Sequence, residues 1–119
     1  APWRVALSPF DLGRGAHTLA VVVTWDDGVQ ARAEARFQSQ VTTWAEDVHP
    51  IAVRQCGMCH GQGAAARPLY QSDQWRPLID RILDAVRTGR MPLGRAPLTA
   101  AEVELLDAWR AADMPEEWP

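Results

Sequence analysis

Two thiols and an imidazole stand together in the run Cys56-Gly57-Met58-Cys59-His60. Thiols three positions apart can each add to one of the two vinyl groups on a single porphyrin edge, and the adjacent imidazole is then carried beneath the iron. This C-x-x-C-H spacing is the attachment pattern of a c-type haem. Covalent attachment retains a haem that is partly exposed, and an exposed haem edge is what passes an electron between proteins. Other uses of paired thiols fit less well. A zinc site needs two more ligands at matched spacing, whereas the chain has only two cysteines and its other histidines, His17 and His49, stand alone. A thioredoxin-like C-x-x-C follows a strand in a βαβ pattern, which is absent here. With both thiols used by the haem, no disulfide is expected.

Helices are expected to position this box. Thr43-Trp44-Ala45-Glu46 fits a capping box, and Pro50 suits the first turn of the short helix that leads to Cys56. A second helix is predicted from Ser72 or Asp73 to Arg87, with Trp75, Leu78, Ile79, Ile82, Leu83 and Val86 at helical spacing and Thr88-Gly89 ending it. A third begins at a second capping box, Thr99-Ala100-Ala101-Glu102, carries Val103, Leu106 and Trp109 as its apolar stripe, and stops before Met114-Pro115.

Trp75, Arg81-Ile82, Val86, Gly89-Arg90-Met91-Pro92, Leu98-Thr99, Glu102, Leu106 and Trp109 follow the box in an order and spacing that resemble the small monohaem class I c-type cytochromes with a distal Met-Pro loop. The resemblance covers about residues 44 to 115. It implies that haem c is held covalently through Cys56 and Cys59, with His60 as the proximal iron ligand. The other ring N–H of His60 is then fixed by a proline carbonyl, for which Pro68 is the matching position. Met91 is the implied distal ligand: its soft thioether favours ferrous iron, and Pro92 restricts it to an extended backbone in a loop.

Other candidates carry less. Met58 is tethered to the proximal loop, Met114 lies beyond the last helix, and His49, which could in principle give bis-His ligation, is expected to be partly exposed. Met91 has an alternative use as a filler of a core gap. Trp75 and Trp109 sit on apolar stripes, which favours packing, and Trp75 is also a candidate for contact with the cofactor. Arg90 is a candidate partner for the haem propionates, together with Arg95, Arg67 and Arg76, because the guanidinium fork binds carboxylates bidentately. Asp80 and Asp84 share a helix face that reads as solvated.

Residues 1–42 read differently, as β structure. Leu19, Val21, Val23 and Trp25 alternate with other residues, and beyond Asp26-Asp27-Gly28 so do Val29, Ala31, Ala33, Ala35 and Phe37. A two-residue Asp27-Gly28 turn would set Val23 against Arg32 and Val21 against Glu34. A three-residue loop with Gly28 in the left-handed region pairs Trp25 with Val29, Val23 with Ala31 and Val21 with Ala33, giving one apolar face, and is preferred. That face needs cover: a third strand near Arg4 to Leu7, the haem domain, or an upstream sheet. The stretch from Gly15 to Phe37 resembles the last strands of bacterial immunoglobulin-like modules, which implies the C-terminal portion of a longer protein.

The expected fold class is therefore α+β: a β-hairpin or three-stranded segment over residues 1–42, then a mainly α class I cytochrome c domain over residues 43–119. The 119 residues carry a net charge of -3, with twelve Arg and no Lys. This excludes a lysine-ring docking surface and points away from nucleic acid. The longest apolar run, Leu19 to Val23, is strand length, far short of the roughly 18 residues of a membrane span. Ala1 is not an initiator Met, and the haem's maturation implies a periplasmic or other extracytoplasmic setting, so a targeting segment is expected to have been lost or to lie upstream. The function expected is electron transfer to and from redox partner proteins by a six-coordinate His60/Met91 centre, without turnover by this chain. The alternatives are a ligand-binding haem sensor or small peroxidase, should Met91 not be a firm ligand, and a β interaction module with the haem as passenger.

Overall fold

A computed structural model describes residues 4–118 and has an α+β architecture. The chain divides into two compact units, the described residues up to Val41 and Thr42–Trp118.

In the first unit the alternating residues form an antiparallel pair, β1 (Gly15–Thr24) and β2 (Gln30–Ser39). Val23 pairs with Ala31 and Val21 with Ala33, which is the register of the three-residue loop. Trp25 N–H donates to Val29 O at 2.8 Å, Gly28 N–H to Trp25 O at 2.9 Å, and Val29 N–H to Asp27 Oδ1 at 2.9 Å. Gly28 sits at φ 86°, a conformation that favours a residue without Cβ. Further along the ladder, His17 lies opposite Phe37 with ring centroids 5.7 Å apart. Arg4 to Leu7 form no strand, so the three-stranded alternative is not realised among the described residues. The chain instead enters a single helical turn, α1 (Pro9–Leu12), because Pro9 presets the helical φ at its start and Gly13, at φ 80°, ends it. Val21, Val23, Trp25 and Val29 remain about half exposed.

The second unit opens with a continuous helical run, α2, over residues 44–60. Two of its stretches, Trp44–Val48 and Ala52–Cys56, are wound with wide i→i+5 turns, and Gly57–His60 closes it. Thr43 Oγ1 accepts from Glu46 N–H at 3.3 Å as a capping residue should, but the carboxylate that returns the bond to Thr43 N–H is Asp47, at 2.8 Å, and not Glu46. Widening the first turn explains the change: the position above the cap moves one residue along the chain.

The predicted helix from Ser72 to Arg87 is two, α3 (Ser72–Trp75) and α4 (Ile79–Arg87), joined by a tighter turn at Arg76–Leu78. Pro77 causes the break, since it has no N–H to donate and its ring crowds the preceding turn. The last helix, α5 (Ala100–Ala111), has the full capping box: Glu102 N–H donates to Thr99 Oγ1 at 3.2 Å and Thr99 N–H to Glu102 Oε1 at 3.0 Å.

These helices bury one core around three indoles. Trp44 lies 5.5 Å from Trp75 and 5.6 Å from Trp109, centroid to centroid, with Val48, Leu83 and Leu106 fully buried beside them. The polar edges are also satisfied, as Trp75 Nε1–H donates to Leu69 O at 2.8 Å and Trp109 Nε1–H to Pro115 O at 2.9 Å. The tail after α5 turns back through Asp113 and Met114, at φ 63° and 54°. Its Pro115 and Glu116 carbonyls then accept the Trp44 and Ala45 N–H groups, each at 2.9 Å. Two donors that the start of α2 would otherwise leave unpaired are thereby satisfied. No helix among the described residues is long and apolar enough to cross a membrane.

Candidate functional site

The last turn of α2 presents the box. Gly61 follows it in close contact, and a Cβ there would meet Gly57 O at 2.4 Å, so the chain can leave the helix here only with glycine. It then loops back on His60, whose carbonyl accepts Leu69 N–H at 2.8 Å. His60 Nδ1 lies 2.6 Å from the carbonyl of Arg67, one residue before the expected Pro68. The Arg67 carbonyl belongs to the peptide that Pro68 closes, so the loop's turn at Pro68 still sets the contact. A carbonyl only accepts, so Nδ1 carries the proton and Nε2 keeps the lone pair a metal would use.

Cys56, Cys59, His60 and Met91 all line one cavity of about 460 Å³, a size within the ~300–1,000 Å³ of cofactor clefts. Most of its wall is apolar, from the Ile82, Ala85 and Val86 face of α4, from Leu78 in the turn before it, and from Leu69 and Leu98. Cys56 is half-buried, and loss of hydration pushes its thiol up to about 11, against the pull of Arg95 and with a further push from Glu102. Cys59 is exposed, and neither thiol is in a disulfide. Met91 is 36% exposed, on the loop after α4, with its N–H donated to Ala85 O at 3.1 Å. Met58 lies at the same cavity with 78% exposure, whereas Met114 packs against the core. His49 is exposed on α2, 5.6 Å from Trp44, and is not among the cavity residues.

Trp75 does two things, being buried in the core and also lining the cavity. The arginines divide. Arg90 is outside the cavity, paired with Asp84 and donating to Thr88 Oγ1 at 3.2 Å; Arg76 is also outside, bonded to Met114 O at 3.1 Å and to Glu116 at 3.1 Å. Arg67 and Arg95 line it. So does Arg81, which sequence reasoning did not single out as a charged contact. Its helical spacing from Leu78 and Ala85 was the available signal. Asp80 and Asp84 are exposed and paired with Arg110 and Arg90.

The donor set suits a metal that arrives already held in a macrocycle. Among the described residues no group of three or more His, Cys, Asp or Glu could hold a bare ion, yet one imidazole, one thioether and two unpaired thiols share an apolar cavity. Residues 45–109, more than half of the chain, match the family described as cytochrome C oxidase, cbb3-type, subunit III. The chain belongs to that family. Membership in this subunit III family supports an electron-transfer role, and the two cysteines accord with a single haem-attachment motif. No curated protein and no solved structure matches the chain.

Proposed function

We propose that this chain is an electron-transfer module of the subunit III family, holding one haem c through Cys56 and Cys59 with His60 and Met91 as its axial ligands. The observation that carries the reading is that both thiols, the imidazole and the thioether line the same apolar cavity. When bound, haem c supplies a one-electron Fe(II)/Fe(III) couple. The chain's residues do the rest. The Arg67 carbonyl orients His60 and fixes its tautomer. The apolar face of α4 excludes water, and the soft sulfur of Met91 favours the reduced metal and so raises the potential. Were His60 and Met91 both to hold the metal, no position would be left for a substrate, so the module would exchange electrons with redox partner proteins rather than perform turnover. Resemblance to the family's haem maturation supports an extracytoplasmic compartment, and residues 1–42 are a separate β piece joined to the cytochrome domain of residues 43–119.

The test is the absorption spectrum of the ferric and ferrous protein, with and without carbon monoxide, for wild type and Met91→Ala. Wild type is expected to show the weak long-wavelength sulfur-to-iron band and no shift with carbon monoxide; the variant loses the band and binds the gas. A high-spin wild-type spectrum, or rapid carbon monoxide binding by it, would overturn the electron carrier in favour of a ligand-binding haem protein.

A further inference from the structure

The second unit contains eight arginines, and they fall into two groups. Arg54, Arg76, Arg87, Arg90 and Arg110 are each in an ion pair, with Glu102, Glu116, Asp107, Asp84 and Asp80. Arg67, Arg81 and Arg95 have no carboxylate partner among the described residues, and these three are the arginines that line the cavity. No Asp or Glu among the described residues lines it. A guanidinium is charged at every accessible pH, so the cavity's lining combines an apolar wall with permanent positive charge. Such a cavity selects an apolar body that carries carboxylates.

We infer that Arg67, Arg81 and Arg95 together receive the two propionates of the haem, and that their net positive charge raises its potential. The inference rests on the function proposed above. The three come from different places: Arg67 from the loop that orients His60, Arg81 from α4, and Arg95 from the loop after Met91. The carboxylate end of the macrocycle is thus gripped by both ligand-bearing loops and by the helix between them. Three cations against two carboxylates leave one positive charge near the iron, which favours the ferrous state. Removing one cation leaves two against two carboxylates, which takes away that excess positive charge and favours the ferric state. All three side chains are exposed, so solvent weakens each effect without cancelling it.

The experiment is a spectroelectrochemical titration of the purified holoprotein at neutral pH. Arg67→Gln, Arg81→Gln, Arg95→Gln, the triple variant and Arg81→Lys are compared with Arg110→Gln, which removes a cation outside the cavity. Each single Gln variant is expected to raise the ferric-to-ferrous ratio at fixed potential about threefold, and the triple variant tenfold or more, the latter a fall of about 59 mV for one electron. Arg81→Lys and Arg110→Gln are expected to stay within about twofold of wild type. The inference is overturned if the single Gln variants, or the triple variant, keep the sulfur-to-iron band and stay within twofold of wild type. It is also overturned if Arg110→Gln shifts the ratio as far as the cavity variants do. A wild-type protein without that band would instead refute the His60/Met91 centre itself, so the two failures are separable. Should the triple variant fail to mature, the single variants carry the same comparison.

Discussion

Preventing haem attachment should unfold the second unit. The perturbation is Cys56→Ala with Cys59→Ala, which leaves His60, Met91 and the core residues in place. The cavity measures about 460 Å³. At roughly 24 cal/mol per Å³ of cavity, an unfilled space of that size costs about 11 kcal/mol. Water admitted through the open side makes this a ceiling. A unit the length of Thr42–Trp118 has a total stability of only about 4–12 kcal/mol, so even half of the ceiling removes most of the margin. The assay is circular dichroism of the double variant against the holoprotein at equal concentration. The expected result is no cooperative thermal transition, and loss of the near-ultraviolet signal from the packed Trp44, Trp75 and Trp109. A double variant that keeps that signal and melts cooperatively above about 45 °C, as ordinary stable domains do, would refute the argument that the cofactor completes the core.

Trp44→Ala should lower holoprotein stability by about 3–5 kcal/mol in guanidinium chloride titrations, since Trp44, the first residue of α2, touches both other core indoles. Glu102 supplies a pH dependence. The Thr99 N–H, opposed by burial and helped by Arg54 and Gln55, holds its carboxyl below the usual 4.5. A depressed folded value means that its stabilisation is complete above about 4.5 and is lost as pH falls through the lower folded value. Thermal melts of wild type and Glu102→Gln should therefore differ at pH 6 and converge as the medium is acidified toward the bottom of that window. Asp113→Gly should raise the melting temperature, by up to about 1 kcal/mol equivalent, because it relieves a left-handed residue in the tail that caps α2.

Much of the fold was legible in local chemistry. The Asp26-Asp27-Gly28 loop was readable because only one register puts apolar residues opposite apolar residues, and Thr99-Glu102 because a capping box is closed within one helical turn. The break in the long predicted helix was also present in the sequence, at Pro77, but the apolar spacing on both sides of it masks a change of helix geometry. The shift from Glu46 to Asp47 at the first cap was not readable. It depends on the wide turn of α2, and a difference between i→i+4 and i→i+5 bonds leaves no mark in residue types.

The sequence alone displayed the C-x-x-C-H motif, because Cys56, Cys59 and His60 are near neighbours and their spacing is read directly from the chain. The resemblance carried by the residues around it also pointed to Met91. What only the tertiary structure decided is the rest of the cavity: that Arg81 lines it and Arg90 does not, that the Arg67 carbonyl meets His60, and that the C-terminal tail caps the helix bearing the box. Each of these joins residues separated by a loop or a whole helix, so their meeting is set by packing around Trp44, Trp75 and Trp109, which no local pattern encodes.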